Sequence, residues 1–321
     1  MTGRRRRWLL AAGTAAIIAL GLLAWRMPEA MAWWWRLRAG RPAMTTTAVS
    51  LAPGLHWFDD YYAVAELGDG TYAIGEPYYG QCNFSYLFVG SERALLFDGG
   101  PGVRDIRPVL HSLTSLAVEA LPSHLHFDHT GNFARLEHIA LPDLPALRHQ
   151  ARDGRFEPGL YQFLGFVEGF ERPRFAVERW IEPGATIDLG GRQLTMLSLP
   201  GHTPESVALL DRRSNHLYAG DFIYPTEIYA FLPGADLDTY AASARRLLGD
   251  IDAHTQVYGA HGCEHLPSVD LPRLGRGDVA DLAKALEAAA SGTGYWPLGF
   301  PREFPVNERM TLLAKYPWMS R

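Results

Sequence analysis

The spacing of apolar positions changes several times along the chain, and each change marks an element. An uncharged run from Trp8 to Trp25 follows the basic cluster Arg4–Arg7 and stops at Arg26. Its 18 residues are near the lower limit for a bilayer-spanning helix and long for a signal-peptide core. Residues 33–55, which end after Pro53-Gly54, read as a linker. From Tyr61 the pattern turns to short β-rich runs broken by glycine, at Thr71–Ile74, Phe84–Val89 and Ala94–Phe97. Val103–Leu113 has helical spacing, and the short apolar run Leu116–Leu121 delivers the chain to His124. Further strands are predicted at Gln193–Leu199, Val207–Leu210, His216–Ala219 and Gln256–Tyr258. Leu237–Leu248, with Asp236 as its cap, and Asp278–Ala290 are predicted helices. Strands with helices interspersed imply a layered α/β or α+β fold.

The N-terminal run changes the picture of where the protein works. Four arginines ahead of it argue for an export signal or membrane anchor over residues 1–32, with Arg5-Arg6-Arg7-Trp8-Leu9 also allowing a twin-arginine signal. Ala30-Met31-Ala32 offers a small-residue cleavage site, whereas Trp33, Trp34 and Trp35 suit a membrane interface. Both readings place the catalytic domain on the periplasmic face, tethered or released, with membrane contact through this segment.

Charge narrows the partners. Residues 1–41 hold eight arginines and one glutamate, which leaves the rest of the chain 22 basic and 34 acidic side chains, a formal balance of −12. Such a surface repels phosphate backbones, so nucleic acid is not an expected partner. The two cysteines, Cys82 and Cys263, are too few for a disulfide framework or a thiolate zinc site. They are expected as small buried or rim residues, or as a pair in an oxidising compartment.

The densest chemistry is Ser123-His124-Leu125-His126-Phe127-Asp128-His129, straight after an apolar run. In an extended segment side chains two apart share a face, so His124 and His126 can reach one metal together. The chain must then turn, which aims Asp128 and His129 at a second point. Imidazole and carboxylate suit zinc and other first-row divalent ions. Three later pieces place a ligand just after a strand: Pro200-Gly201-His202-Thr203, Ala219-Gly220-Asp221 and Gly259-Ala260-His261-Gly262. Each alone is an ordinary polar strand end; their value lies in coming from successive strand ends, which converge at one edge of a sheet.

With these pieces in this order, residues 56–265 resemble the metallo-β-lactamase superfamily. The resemblance implies an α+β fold, a four-layer αββα sandwich over residues 56–268, followed by a C-terminal helix and aromatic tail over 269–321. It implies two zinc ions: His124, His126 and His202 on the first, Asp128, His129 and His261 on the second, and Asp221 bridging both. Leu96-Phe97-Asp98-Gly99-Gly100 matches the family's early strand and turn, which makes Asp98 an acceptor that orients the histidine loop. His265 is the alternative to His261. The sequence departs from the family at Glu205, where glycine is common, and at Asn132.

A pair of divalent ions lowers the pKa of a shared water from about 16 to near 7. The resemblance thus implies a hydrolase in which Asp128 holds the hydroxide and passes its proton onward. Asp221 stands where lactam-cleaving branches usually have Cys or Ser, which favours the glyoxalase II, acyl-coenzyme A thioesterase and lactonase branches. Gly190–Met196, Gly220–Tyr224 and Phe231-Leu232-Pro233 look like the thioesterase branch. The expected substrate is a small-molecule ester or thioester. A lactonase or β-lactamase-like hydrolase and a mononuclear iron dioxygenase of the same fold are the alternatives. Tyr224, three places after the bridging Asp, is the candidate donor to an oxyanion. The aromatic stretch Leu160–Phe170 either covers the sheet as a helix or walls an acyl pocket.

Overall fold

The computed structural model describes residues 26–262, 268–292 and 299–320. The run Trp8–Trp25 and Cys263 lie outside the described residues. Among the described residues no helix is long and apolar enough to cross a membrane.

Two mixed sheets face each other. The first runs in chain order: β1 (His56–Trp57), β2 (Ala63–Gly68), β3 (Thr71–Gly75), β4 (Phe84–Val89), β5 (Ala94–Phe97), β6 (Val118–Leu121), β7 (His138–Pro142) and β8 (Arg179–Ile181). Its first half is antiparallel and β5 to β8 are parallel. The second comprises β9 (Thr186–Asp188), β10 (Gln193–Ser198), β11 (Val207–Asp211), β12 (His216–Tyr218), β13 (Gln256–Tyr258) and β14 (Arg273–Gly275), again in chain order. Only β12 and β13 pair in parallel there. A small third sheet joins Glu227–Ala230 to the hairpin of Arg302–Pro305 and Thr311–Ala314.

Alternation explains the layers. Phe84, Tyr86 and Phe88 of β4 point inward against Leu194, Met196, Leu209 and Tyr218 of the second sheet, and this set forms the core between the sheets. Leu87, Leu96 and Ala120 face the other way, onto Val109 and Leu110 of helix α2 (Arg107–Leu113). On the far side, Leu210 and Leu217 pack under the helices Leu237–Asp250 and Arg276–Ser291. This is the expected αββα order. Asp236 caps the first of these two helices, its side chain accepting from Thr239 N at 2.8 Å. The predicted helix at Val103–Leu113 starts later, at Arg107, with Pro108 in its first turn.

The N-terminal region departs from a plain linker. Helix α1 (Met27–Arg38) crosses the boundary placed at residue 32, and Ala32 on it is 1 % exposed. It packs with Phe127, Phe163, Leu164, Phe231 and Leu232 in a separate apolar cluster. The chain after it is tied down as well, with Gly80 N donating to Ala43 O and Thr45 N to Tyr78 O.

Candidate metal centre and active-site pocket

Every expected ligand lies on a segment that follows a strand end, and all seven gather at one edge of the sandwich. β6 delivers His124; His126 then begins the single turn Phe127–Thr130, which swings Asp128 and His129 round to a second point. β10 delivers His202, β12 delivers Asp221 and β13 delivers His261. Two of the turns require glycine. Gly201 has φ +151°, and a Cβ there would lie 2.4 Å from Tyr240 Cα. Gly220 has φ +54°, and a Cβ there would lie 2.5 Å from the Ser123 side chain.

Two clusters of ligand atoms result. In the first, His126 Nδ1 is 2.8 Å from His124 Nε2 and 3.1 Å from His202 Nε2. Asp221 Oδ2 lies 3.8 Å from His124 Nε2 and 3.6 Å from His202 Nε2. In the second, Asp221 Oδ1 lies 3.2 Å from His129 Nε2 and 3.0 Å from His261 Nε2. Asp128 Oδ2 lies 3.3 Å from His129 Nε2 and 3.4 Å from His261 Nε2. Asp221 thus turns one oxygen to each cluster.

These residues fit metal ions. Donors at Zn–N distances of about 2.0–2.1 Å around a tetrahedral centre stand about 3.3 Å apart, which is the spacing found here. His129 Nε2 and Asp221 Oδ1, both turned to the second cluster, are buried polar atoms without a hydrogen-bond partner. The electrostatics agree. Burial and the neighbouring imidazoles hold His124 well below its ordinary pKa and push His126 down to about 3, so both are neutral. Burial alone would raise the Asp221 carboxyl, but His261 and His129 outweigh it and hold it well below the usual range. His129 is pulled up despite its burial, because Asp221, Asp128 and Asp98 surround it with negative charge. Such a site favours cations.

Three of the outer ring atoms are pinned. His202 Nδ1 is 2.7 Å from Tyr229 O, His261 Nδ1 is 3.1 Å from Gln81 O, and His124 Nδ1 is 3.0 Å from Ser123 Oγ. Asp98, with φ +66°, accepts from Ser123 N at 2.6 Å and faces His129 Nδ1 at 3.0 Å. Asn83 was not anticipated. It bridges to His261 along the backbone, and its Nδ2 donates to Asp128 O at 2.9 Å and to Asp128 Oδ2 at 3.2 Å. Nothing in its local sequence marks it.

Over the clusters lies a pocket of about 260 Å³ that reaches His126, Asp128, His202, Asp221 and His261. Tyr224 is in its wall, with its ring 4.9 Å from that of His261 and its hydroxyl accepting from Tyr229 N at 3.3 Å. The stretch Leu160–Phe170 is not one helix. It makes a turn at Leu160–Phe163, breaks at Leu164 with φ +57°, and continues as a 3-10 turn at Gly165–Val167. A Cβ at Gly165 would lie 2.2 Å from the Phe163 ring, so the tight fold depends on that glycine. Leu164 and Val167 line the pocket, while Phe163 is buried beneath it. Glu205 is buried as well, and burial pushes its carboxyl up to about 7. Cys82 is disulfide-bonded, so it is not the unpaired small residue that was one of the two expectations.

Comparison with known proteins agrees with this architecture. Acyl-coenzyme A thioesterase MBLAC2 of Gallus gallus is 28 % identical over 246 residues, which cover 67 % of this chain and 88 % of that protein. The probable metallo-hydrolase YqgX of Bacillus subtilis is 27 % identical over 183 residues, covering 56 % of this chain and 85 % of its own. The solved structure of a metallo-beta-lactamase from Pontibacter korlensis superposes with a TM-score of 0.52 at 17 % identity, over 70 % of this chain and 99 % of that one; this is a likeness of fold. Residues 80–289 match the model of the metallo-beta-lactamase superfamily, and with both ligand clusters in place the chain belongs to that superfamily as a metallo-hydrolase.

Proposed function

We propose that the protein hydrolyses acyl thioesters with two zinc ions. His124, His126 and His202 would hold one ion, Asp128, His129 and His261 the other, and Asp221 both. The observation that carries this reading is Asp221 itself, whose two oxygens face the two clusters. The thioester is supported by the apolar walls of the pocket, Trp35, Leu164, Val167 and Leu232, together with the thioesterase named among the relatives.

When bound, such ions supply an activated water near neutral pH and polarise the scissile carbonyl. The chain's own groups do the rest. Asp128 turns Oδ2 to His129 and His261, where Asn83 also fixes it, and its Oδ1 takes the proton of the attacking water. The Tyr224 phenol donates to the oxyanion. The leaving thiolate, with a parent pKa of about 8.5, departs without a general acid. Burial of the acyl chain excludes water from the carbonyl and stabilises binding by about 0.8 kcal/mol per methylene.

The test is an acyl chain-length series of thioesters on purified, zinc-loaded protein beside a chromogenic cephalosporin. kcat/KM should rise roughly fourfold per methylene until the pocket is filled, and then level off. Flat dependence with faster cephalosporin turnover would defeat the reading. Oxygen uptake by the iron-loaded protein would move it to the dioxygenase alternative.

A further inference from the structure

Helix α1 is part of the pocket. Ala32, Trp35, Arg38 and Ala39 line the same cavity as His126, Asp128 and Asp221. The helix is docked along both sides of its inner face. The Trp33 ring lies 4.8 Å from Phe166, and its Nε1 donates to Tyr161 Oη at 3.2 Å. Trp35 meets Phe231 edge-on at 5.8 Å and Tyr229 at 6.4 Å. Beyond the helix, Ala43 N donates to Glu168 Oε2, which Tyr79 Oη also reaches, so the strap is fastened beside the pocket.

The last turn of α1 has a distinct electrostatic character. Arg36 spends one N–H on Gly40 O at 2.8 Å, and Arg26 pairs with Glu29. Arg38 is exposed at the pocket lining, and its guanidinium sits 4.4 Å over the Trp34 ring. Among the described residues no carboxylate comes within ion-pair distance of Arg38. A guanidinium held flat by an indole presents its N–H fork at a fixed angle, which is the geometry for a phosphate or carboxylate. The rest of the α1 wall, Ala32, Trp35 and Ala39, is apolar.

We propose that α1 sets substrate specificity: Ala32 and Trp35 bound the acyl chain, and Arg38 selects a leaving group that bears an anionic head, phosphate or carboxylate. This rests on the thioester reading for the identity of the bond, but the pocket's shape and charge stand without it. Arg38 acts on binding and not on the bond, so its loss should appear in affinity and KM.

The experiment measures binding of non-hydrolysable thioethers to the full, zinc-loaded chain by calorimetry. S-decyl-coenzyme A carries phosphates, S-decylglutathione carries carboxylates, and S-decyl-N-acetylcysteamine is neutral. Arg38→Gln should lower the ratio of anionic to neutral affinity about tenfold, and Arg38→Lys should restore part of it. The head for which the ratio falls further identifies the source of the anion. Ala32→Phe should favour acetyl over decyl analogues, and Trp35→Ala should weaken the preference for the longer chain if Ala32→Phe does not fold. An unchanged ratio in Arg38→Gln, or chain-length preference indifferent to both wall variants, would overturn the inference. If the ratios shift as expected while no thioester is hydrolysed, α1 keeps its role and the thioester reading falls.

Discussion

Asp98 Oδ2 lies 3.0 Å from His129 Nδ1, on the face of the ring away from the ligand clusters. With Asp98 on that side, His129 Nε2 is directed at Asp128 and Asp221, and the Asp98 charge is one of the three that pull the ring's pKa up. The other Asp98 oxygen holds Ser123 N, so one carboxylate positions both ends of the His124–His129 loop. Asp98→Ala should therefore weaken metal binding by about 10- to 100-fold, the usual effect of losing such a partner. A competition titration with a chromophoric chelator measures it. Equal affinities in variant and wild type would show that Asp98 serves the fold alone.

Asp221 and His202 should differ in what their removal does to metal content. Asp221→Ala removes a ligand from both clusters, whereas His202→Ala touches the first only. Elemental analysis of the purified wild type should give about two zinc equivalents, with Asp221→Ala losing metal from both sites and His202→Ala retaining one better than the other. Full hydrolytic activity in a metal-free preparation would end the metal mechanism.

The gathering of the seven expected ligands was legible because its constraints are local. An H-x-H pair on an extended segment shares a face, and each later ligand follows a short apolar strand. Helix α1 was illegible because Trp33, Trp34 and Trp35 are consecutive and define no stripe; which of them packs inward depends on Phe166 and Phe231, distant in sequence. Asn83 reaches Asp128 through a backbone bridge to His261, a contact with no local signature. The break within Leu160–Phe170 falls at Leu164, beside a glycine that Phe163 and Phe127 crowd, and apolar periodicity cannot register it.

That crowding also separates the aromatic residues by role. Phe163 is 1 % exposed and packs on Phe127 at 6.3 Å beneath the pocket. Phe163→Ala should cost about 3–5 kcal/mol of stability through the cavity it leaves. Urea denaturation measures this. A loss below about 1 kcal/mol would mean that the cluster collapses to fill the gap.

Glu76 is buried behind the site, with Tyr61 Oη donating to its Oε2 at 2.5 Å. Burial pushes its carboxyl up to about 8 from the ordinary 4.5, and the Asp128 charge adds to this, against the opposing Tyr61 bond. Between those values the unfolded chain gives up a proton that the folded chain keeps. Its contribution to stability is therefore full below pH 4.5 and falls as pH rises toward 8, by up to about 1.4 kcal/mol per pH unit. Gln has the shape of the protonated acid and no proton to lose. The melting temperature of Glu76→Gln relative to wild type should thus climb between pH 5 and pH 8.5, and a constant difference across that range would reject the assignment.

The N-terminal segment should be retained in the working protein. Cleavage at Ala30-Met31-Ala32 would cut through α1, removing Ala32 from the pocket wall and its apolar cluster. The helix would lose its first two turns, and what remained would be too short to hold Trp35 by its own propensity. An uncharged run of 18 residues directly ahead of such a helix suits an anchor, with Arg4–Arg7 on the cytoplasmic side and the catalytic domain outside. The disulfide at Cys82 suits an oxidising compartment. The protein should sediment with membranes at its full-length mass, and protease applied to intact spheroplasts should digest the catalytic domain. A soluble form beginning at Trp33 with undiminished decyl-thioester activity would refute retention. Complete protection from the protease would instead place the domain on the cytoplasmic face, and the substrate would then be sought there.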